Sequence, residues 1–169
     1  MLRAIISAAF RPRLLPVTPL YAAAQTLLDA LPMERTPLDL QKLLYICQTV
    51  HLGRYGTPIF KETFRASAMG PYSDVVRDAF AQLRTQRFQQ TGLIDPSMIS
   101  VIKDVAGNIG NYSSAHLVAQ TQGQWATAWS RNYPLRVNDR NIYSGGQIPH
   151  ADMADEYRAW PHSALAPAS

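Results

Sequence analysis

With a single cysteine, Cys47, the chain can form no intramolecular disulfide, which fits a reducing compartment. Charged residues make up only 17% against 47% hydrophobic ones, the balance of an ordinary globular domain with a modestly solvated surface. No apolar run approaches the roughly 20 residues that a membrane-spanning helix requires, so a cytoplasmic protein without membrane contact is expected. The four histidines, His51, His116, His150 and His162, lie far apart and form no short metal-ligand spacing. Gly107 to Gly110 and Gly145-Gly146 match neither a phosphate-cradling loop nor a dinucleotide fingerprint and read as turns. Acidic residues are scattered. Asp74 and Asp78 sit one turn apart where they balance a helix start and pair with Arg77 and Arg84, so they are not taken as a catalytic dyad. The residues therefore point to no enzyme, no metal and no cofactor.

A formal charge of +4 and a pI near 9.4 first suggest a nucleic-acid partner. The distribution argues against it. Arg3, Arg11 and Arg13 lie in an acid-free leader, and setting aside residues 1–17 leaves 13 basic residues against 12 acidic ones. A domain charge near +1 gives no basic stripe for DNA or RNA. Residues 1–17 are expected to be an unstructured or wrongly included leader, because the apolar core Ala4–Phe10 is too short for a secretory signal and Val17 could itself be an initiation codon.

The chain is organised around the stretch from Leu38 to Phe80. Thr36-Pro37 supplies a hydroxyl cap and a proline at the first helical position, and Gly56 supplies a left-handed stop, which predicts a helix of about five turns. Leu40, Leu43, Leu44, Cys47, Val50 and His51 fall on one stripe and are assigned to the core, with Cys47 as packing and His51 as a hydrogen-bonded core residue. Lys42, Tyr45 and Thr49 are expected to point the other way. Residues 57–69 suit a short extended crossing, broken at Gly70-Pro71. Ser73 then caps a helix whose apolar stripe is Tyr72, Val75, Val76, Ala79, Phe80 and Leu83.

Outside this unit, Leu20–Leu31 predicts a first helix ended by Pro32, and Asp95-Pro96 starts another that stops at Gly107-Asn108. A short helix begins at Ser113 or Ser114, and Trp125, Trp129 and Tyr133 mark the next apolar segment. Pro134–Gly146 reads as a surface loop, Asp152–Trp160 as a last helix, and 161–169 as a frayed tail. The expectation is one mainly α-helical domain over residues 18–160, with six or seven helices and an extended crossing between the second and third.

Leu40-Gln41-Lys42-Leu43-Leu44-Tyr45, then His51-Leu52, Tyr55-Gly56-Thr57-Pro58-Ile59-Phe60, Phe64-x-Ala66 and Gly70-Pro71 together resemble the SocA-like (Panacea domain) antitoxin family, also known as GepA or phage-associated protein. The likeness continues more weakly through Tyr112–Leu117, Trp125 and Ile148–Tyr157, covering roughly residues 20–160. A threonine–histidine pair usual before the tryptophan is replaced here by Thr121-Gln122-Gly123-Gln124, without the histidine. The resemblance implies an antitoxin that neutralises a co-encoded toxin by direct binding or, as in the SocA type, by delivering it to the ClpXP protease. A third reading is a helical interaction module of a prophage or mobile element with no toxin partner. It also draws Lys42 and Tyr45, with Thr49, Tyr72 and Trp125, towards a partner-binding role.

Because residues 1–17 carry no periodic apolar face and are set off by Pro16 and Pro19, deleting them should leave the melting temperature unchanged within error. The deletion should also abolish any weak, salt-sensitive DNA retention. A large drop in melting temperature would show that the leader packs on the domain.

Overall fold

The computed structural model describes residues 17–88, 92–123, 127–133, 145–160 and Leu165. Among them are seven helices and one small antiparallel sheet: α1 (Pro19–Ala30), α2 (Pro37–Tyr55), β1 (Arg65–Ser67), β2 (Gly70–Tyr72), α3 (Asp74–Leu83), α4 (Pro96–Ile109), α5 (Ser114–Gln122), α6 (Ala128–Asn132) and α7 (His150–Ala159). This is the mainly helical class expected, with the extended crossing between the second and third helices. Leader residues 1–16, loop residues 134–144, Trp125 and most of the tail lie outside the described residues.

Local chemistry sets the helix ends. The Thr36 hydroxyl accepts from the Asp39 amide while the Asp39 carboxylate accepts from the Thr36 amide, a reciprocal capping box ahead of Pro37. Gly56 closes α2 at φ 73°. Ser73, Asp95 and Ser113 cap α3, α4 and α5 through their side chains. The expected stop of α4 at Gly107-Asn108 is corrected: the helix runs through both to Ile109. Burial of Val105, Ala106 and Ile109 stabilises that last turn, which outweighs the weak helix preference of glycine.

Packing places α2 at the centre, with α3, α4, α5, α7 and β2 around it. Every residue from Asp39 to Leu52 is buried, so the helix has no solvated face. The assignment of Lys42, Tyr45 and Thr49 to a side away from the core is corrected here, because other elements cover that side as well. On α3 the expected stripe holds for Val76, Ala79, Phe80 and Leu83, whereas Val75 is half exposed and belongs to the outer face.

The crossing is a hairpin, with Arg65 opposite Tyr72, Ala66 opposite Pro71 and Ser67 opposite Gly70. Its free edge is covered rather than left open: the Ala66 amide donates to the Gly146 carbonyl at 2.9 Å, and the Ile148 amide donates to the Phe64 carbonyl at 2.8 Å.

Gly70 adopts φ +89°, and a Cβ there would meet Lys42 Cε and Nζ at 3.0 Å and Thr121 Oγ1 at 3.3 Å. Backbone strain and a crowded, buried neighbour act together. Gly70→Val should lower unfolding free energy by about 2 kcal/mol or more in a denaturant titration. Full stability in that variant would show that the corner tolerates an ordinary side chain.

Candidate partner-binding site

Lys42, Tyr45 and Thr49 each have 0% of their surface exposed. Lys42 Nζ donates to the Pro71 carbonyl at 2.8 Å, and burial lowers its pKa to about 8 although Asp39 opposes the shift. Tyr45 donates its hydroxyl proton to Glu156 Oε2 at 2.8 Å and stands edge-on to Phe64 at 5.3 Å. Thr49 lies one turn further along the same buried helix. Lys42 ties the hairpin to α2 and Tyr45 ties α7 to it, and in the folded chain none of the three offers surface to a partner.

Tyr72 is placed differently. At the end of β2 it is partly exposed, accepts from Arg77 Nη1 at 2.9 Å and donates to Asp74 Oδ1 at 3.3 Å. Met69 and Val75, exposed in the hairpin turn and the first turn of α3, flank it in sequence. Of the five nominated residues, then, Tyr72 lies at the surface, three lie in the core, and Trp125 falls outside the described residues.

The residues that sequence reasoning missed are three glutamines and a glutamate. Gln41 donates to the Ser73 carbonyl at 2.9 Å and accepts from the Ser73 amide at 3.0 Å. Gln48 does the same across one residue step, taking the Ile59 amide at 2.8 Å and the Phe60 carbonyl at 2.7 Å. Gln25 of α1 binds both backbone groups of Phe88, at 2.8 and 2.9 Å. An amide side chain has one donor face and one acceptor face, so each clamp imitates a rung of β-ladder. Nothing local in the sequence singles them out, since no spacing reveals which loop a side chain will reach.

Glu156 of α7 is 3% exposed, and its Oε2 accepts from Tyr45 and from the Ala128 amide at 3.2 Å. Burial raises its pKa to about 7, outweighing the opposite pull of Tyr45, the Ala128 amide, the Trp160 indole and Arg131. His51 behaves as expected of a core histidine. Nδ1 donates to the Thr57 carbonyl at 2.6 Å, and Nε2 lies 3.1 Å from Ser97 Oγ. Among the described residues no group of three His, Cys, Asp or Glu side chains could hold a metal ion, and no helix is long and apolar enough to cross a membrane.

The model of the family described as "Antitoxin SocA-like, Panacea domain" matches residues 40–129, more than half of the chain. The chain belongs to this family. No curated protein and no solved structure matches it. The matched span is narrower than the 20–160 suggested by the quoted motifs, and it runs from Leu40 in α2 through the hairpin to Trp129 in α6. The Panacea span thus contains Tyr45 and Ala128, while Glu156, which joins them, lies on α7 beyond it.

Glu156 also sets a pH dependence. Its pKa is 4.5 in an exposed chain and about 7 when folded, so between these values the folded state binds more protons than the unfolded one. Stability should therefore fall as pH rises from about 4.5 to 7 and level off above, by up to about 3 kcal/mol. Glu156→Gln should flatten this slope in urea titrations at pH 5 and 7.5, and an unchanged slope would assign it to other groups.

Proposed function

We propose that this protein is the antitoxin of a toxin–antitoxin pair and that it acts in the cytoplasm by binding its co-encoded toxin directly, without catalysis. The family match over residues 40–129 carries the reading. The interior supports the non-catalytic part. Cys47 is fully buried and its thiol is held well above the ordinary range by burial, the reverse of what a nucleophile needs. His51 spends both ring nitrogens on neighbours that fix the end of α2 to the crossing and to α4. What remains for function is the outside of a cross-braced helical scaffold, where Tyr72 is the nominated residue that a partner can reach.

Expressing the gene adjacent to this one should arrest growth, and co-expression of this protein should restore it. The two products should co-purify in a fixed ratio, and rescue should persist in cells lacking ClpXP. Continued arrest despite soluble protein would overturn the reading, and rescue that vanishes without ClpXP would replace direct neutralisation with proteolytic delivery.

A further inference from the structure

We propose that His51, Ser97 and Asp95 form a proton-operated latch that fastens the first turn of α4 to the C-terminal end of α2, and that the latch opens when the proton on His51 Nε2 leaves. Three contacts run in series: His51 Nδ1 to the Thr57 carbonyl at 2.6 Å, His51 Nε2 to Ser97 Oγ at 3.1 Å, and Ser97 Oγ to Asp95 Oδ1 at 2.5 Å. Each needs one proton between its two heavy atoms, three in all. The Thr57 carbonyl has none to give, and Asp95 Oδ1 acts as an acceptor, since it also takes the Met98 amide at 3.0 Å. A neutral imidazole brings one proton and the serine hydroxyl a second. The third is present only in the imidazolium, so this arrangement is that of protonated His51.

What happens without that proton follows from the relative strength of two acceptors. Asp95 is exposed, and the Ser97 hydroxyl and the Met98 amide hold its carboxyl below the ordinary carboxylate range, so it stays ionised. A hydrogen bond to a carboxylate is roughly twice as strong as one between neutral groups, so the Ser97 proton remains on the Asp95 side. Nε2 then faces an oxygen lone pair from a ring that is only 1% exposed, and the contact across to α4 turns unfavourable. The latch parts between His51 and Ser97, while Asp95 goes on capping α4 and Nδ1 goes on holding Thr57.

The surroundings suit a switch rather than a fixed core bond. The charge facing the ring is Asp95, brought by α4; the crossing supplies the Thr57 carbonyl, and on α2 itself the half-exposed Tyr55 ring lies 4.8 Å away, centre to centre. Ser97 is half-buried and Asp95 exposed, so a proton can reach Nε2 from solvent. Further along α4, Arg54 of α2 binds Asp104 at 2.9 Å, a tie that does not involve His51. Opening the latch therefore frees the first turn of α4 without separating the two helices. This device is independent of the antitoxin reading.

The test uses the full chain, isotopically labelled and titrated by NMR from about pH 5 to about pH 8, the span over which histidine side chains change charge. The His51 ring Hε1 resonance reports the proton, and the Ile99 amide, which donates to the Asp95 carbonyl at 3.1 Å in the first turn of α4, reports the latch. After correction for intrinsic pH dependence, the wild-type Ile99 amide should exchange about tenfold faster once His51 is neutral, the effect of one lost hydrogen bond. Asp95→Asn keeps a capping oxygen but removes the charge that holds the Ser97 proton, so the hydroxyl can turn to Nε2 and the pH response should vanish. Ser97→Ala should abolish it as well. Glu156→Gln should leave it intact, which separates it from the titration of Glu156. An Ile99 amide indifferent to His51 in the wild type would overturn the latch. So would an unchanged response in either Asp95→Asn or Ser97→Ala, or its loss in Glu156→Gln.

Discussion

The fold depends on the way side chains of α2 satisfy the backbone of the crossing that follows it. Residues 57–73 form only three paired positions of hairpin, so most of their peptide groups must find partners elsewhere or be buried unsatisfied. His51 takes the Thr57 carbonyl, Gln48 takes the Ile59 amide and Phe60 carbonyl, Lys42 takes the Pro71 carbonyl, and Gln41 takes both groups of Ser73. The outer side is completed by Trp129, whose indole donates to the Ser67 carbonyl, and by Gln122, which donates to the Ala68 carbonyl. One helix thus acts as a template that bonds backbone groups the short hairpin leaves over.

That solution puts ionisable groups inside. Lys42 and Glu156 are bonded separately, one to a carbonyl and the other to a phenol and an amide, and neither makes an ion pair among the described residues. Burial drives both towards their neutral forms, with pKa values near 8 and near 7. Tight helix packing accompanies this. At Gly53 a Cβ would lie 2.0 Å from the Tyr157 ring, so α7 approaches α2 more closely than any side chain would permit. Arg54 then ties the same tyrosine, Asp104 of α4 and the Leu165 carbonyl at the C-terminal end of α2, where its charge also suits the helix dipole.

A centre so completely committed to internal bonds leaves recognition to the periphery. On α3 the backbone is anchored from two helices while its arginines remain at the surface beside aspartates. The connection at 32–37 and the end of α1 line one cleft with α3 and lie outside the family-matched span, whereas α3 lies within it.

The sequence by itself determined the helices and their limits wherever local chemistry decides them. Thr36-Pro37 and Gly56, Ser73, Asp95-Pro96 and Ser113 satisfy or close helix ends within a few residues of themselves, and those boundaries were legible. The family was legible as well, through a run of motifs concentrated in α2 and the crossing. Tertiary structure alone decided that both sides of α2 are inside. Periodicity separates apolar from polar positions, but it assumes that a polar side chain seeks water, and in this helix Gln41, Lys42, Tyr45 and Gln48 find their partners 11 to 111 residues away in the chain. It also decided that residues of α1, α2 and α3 line one common cleft, since no spacing along the chain encodes how those helices pack.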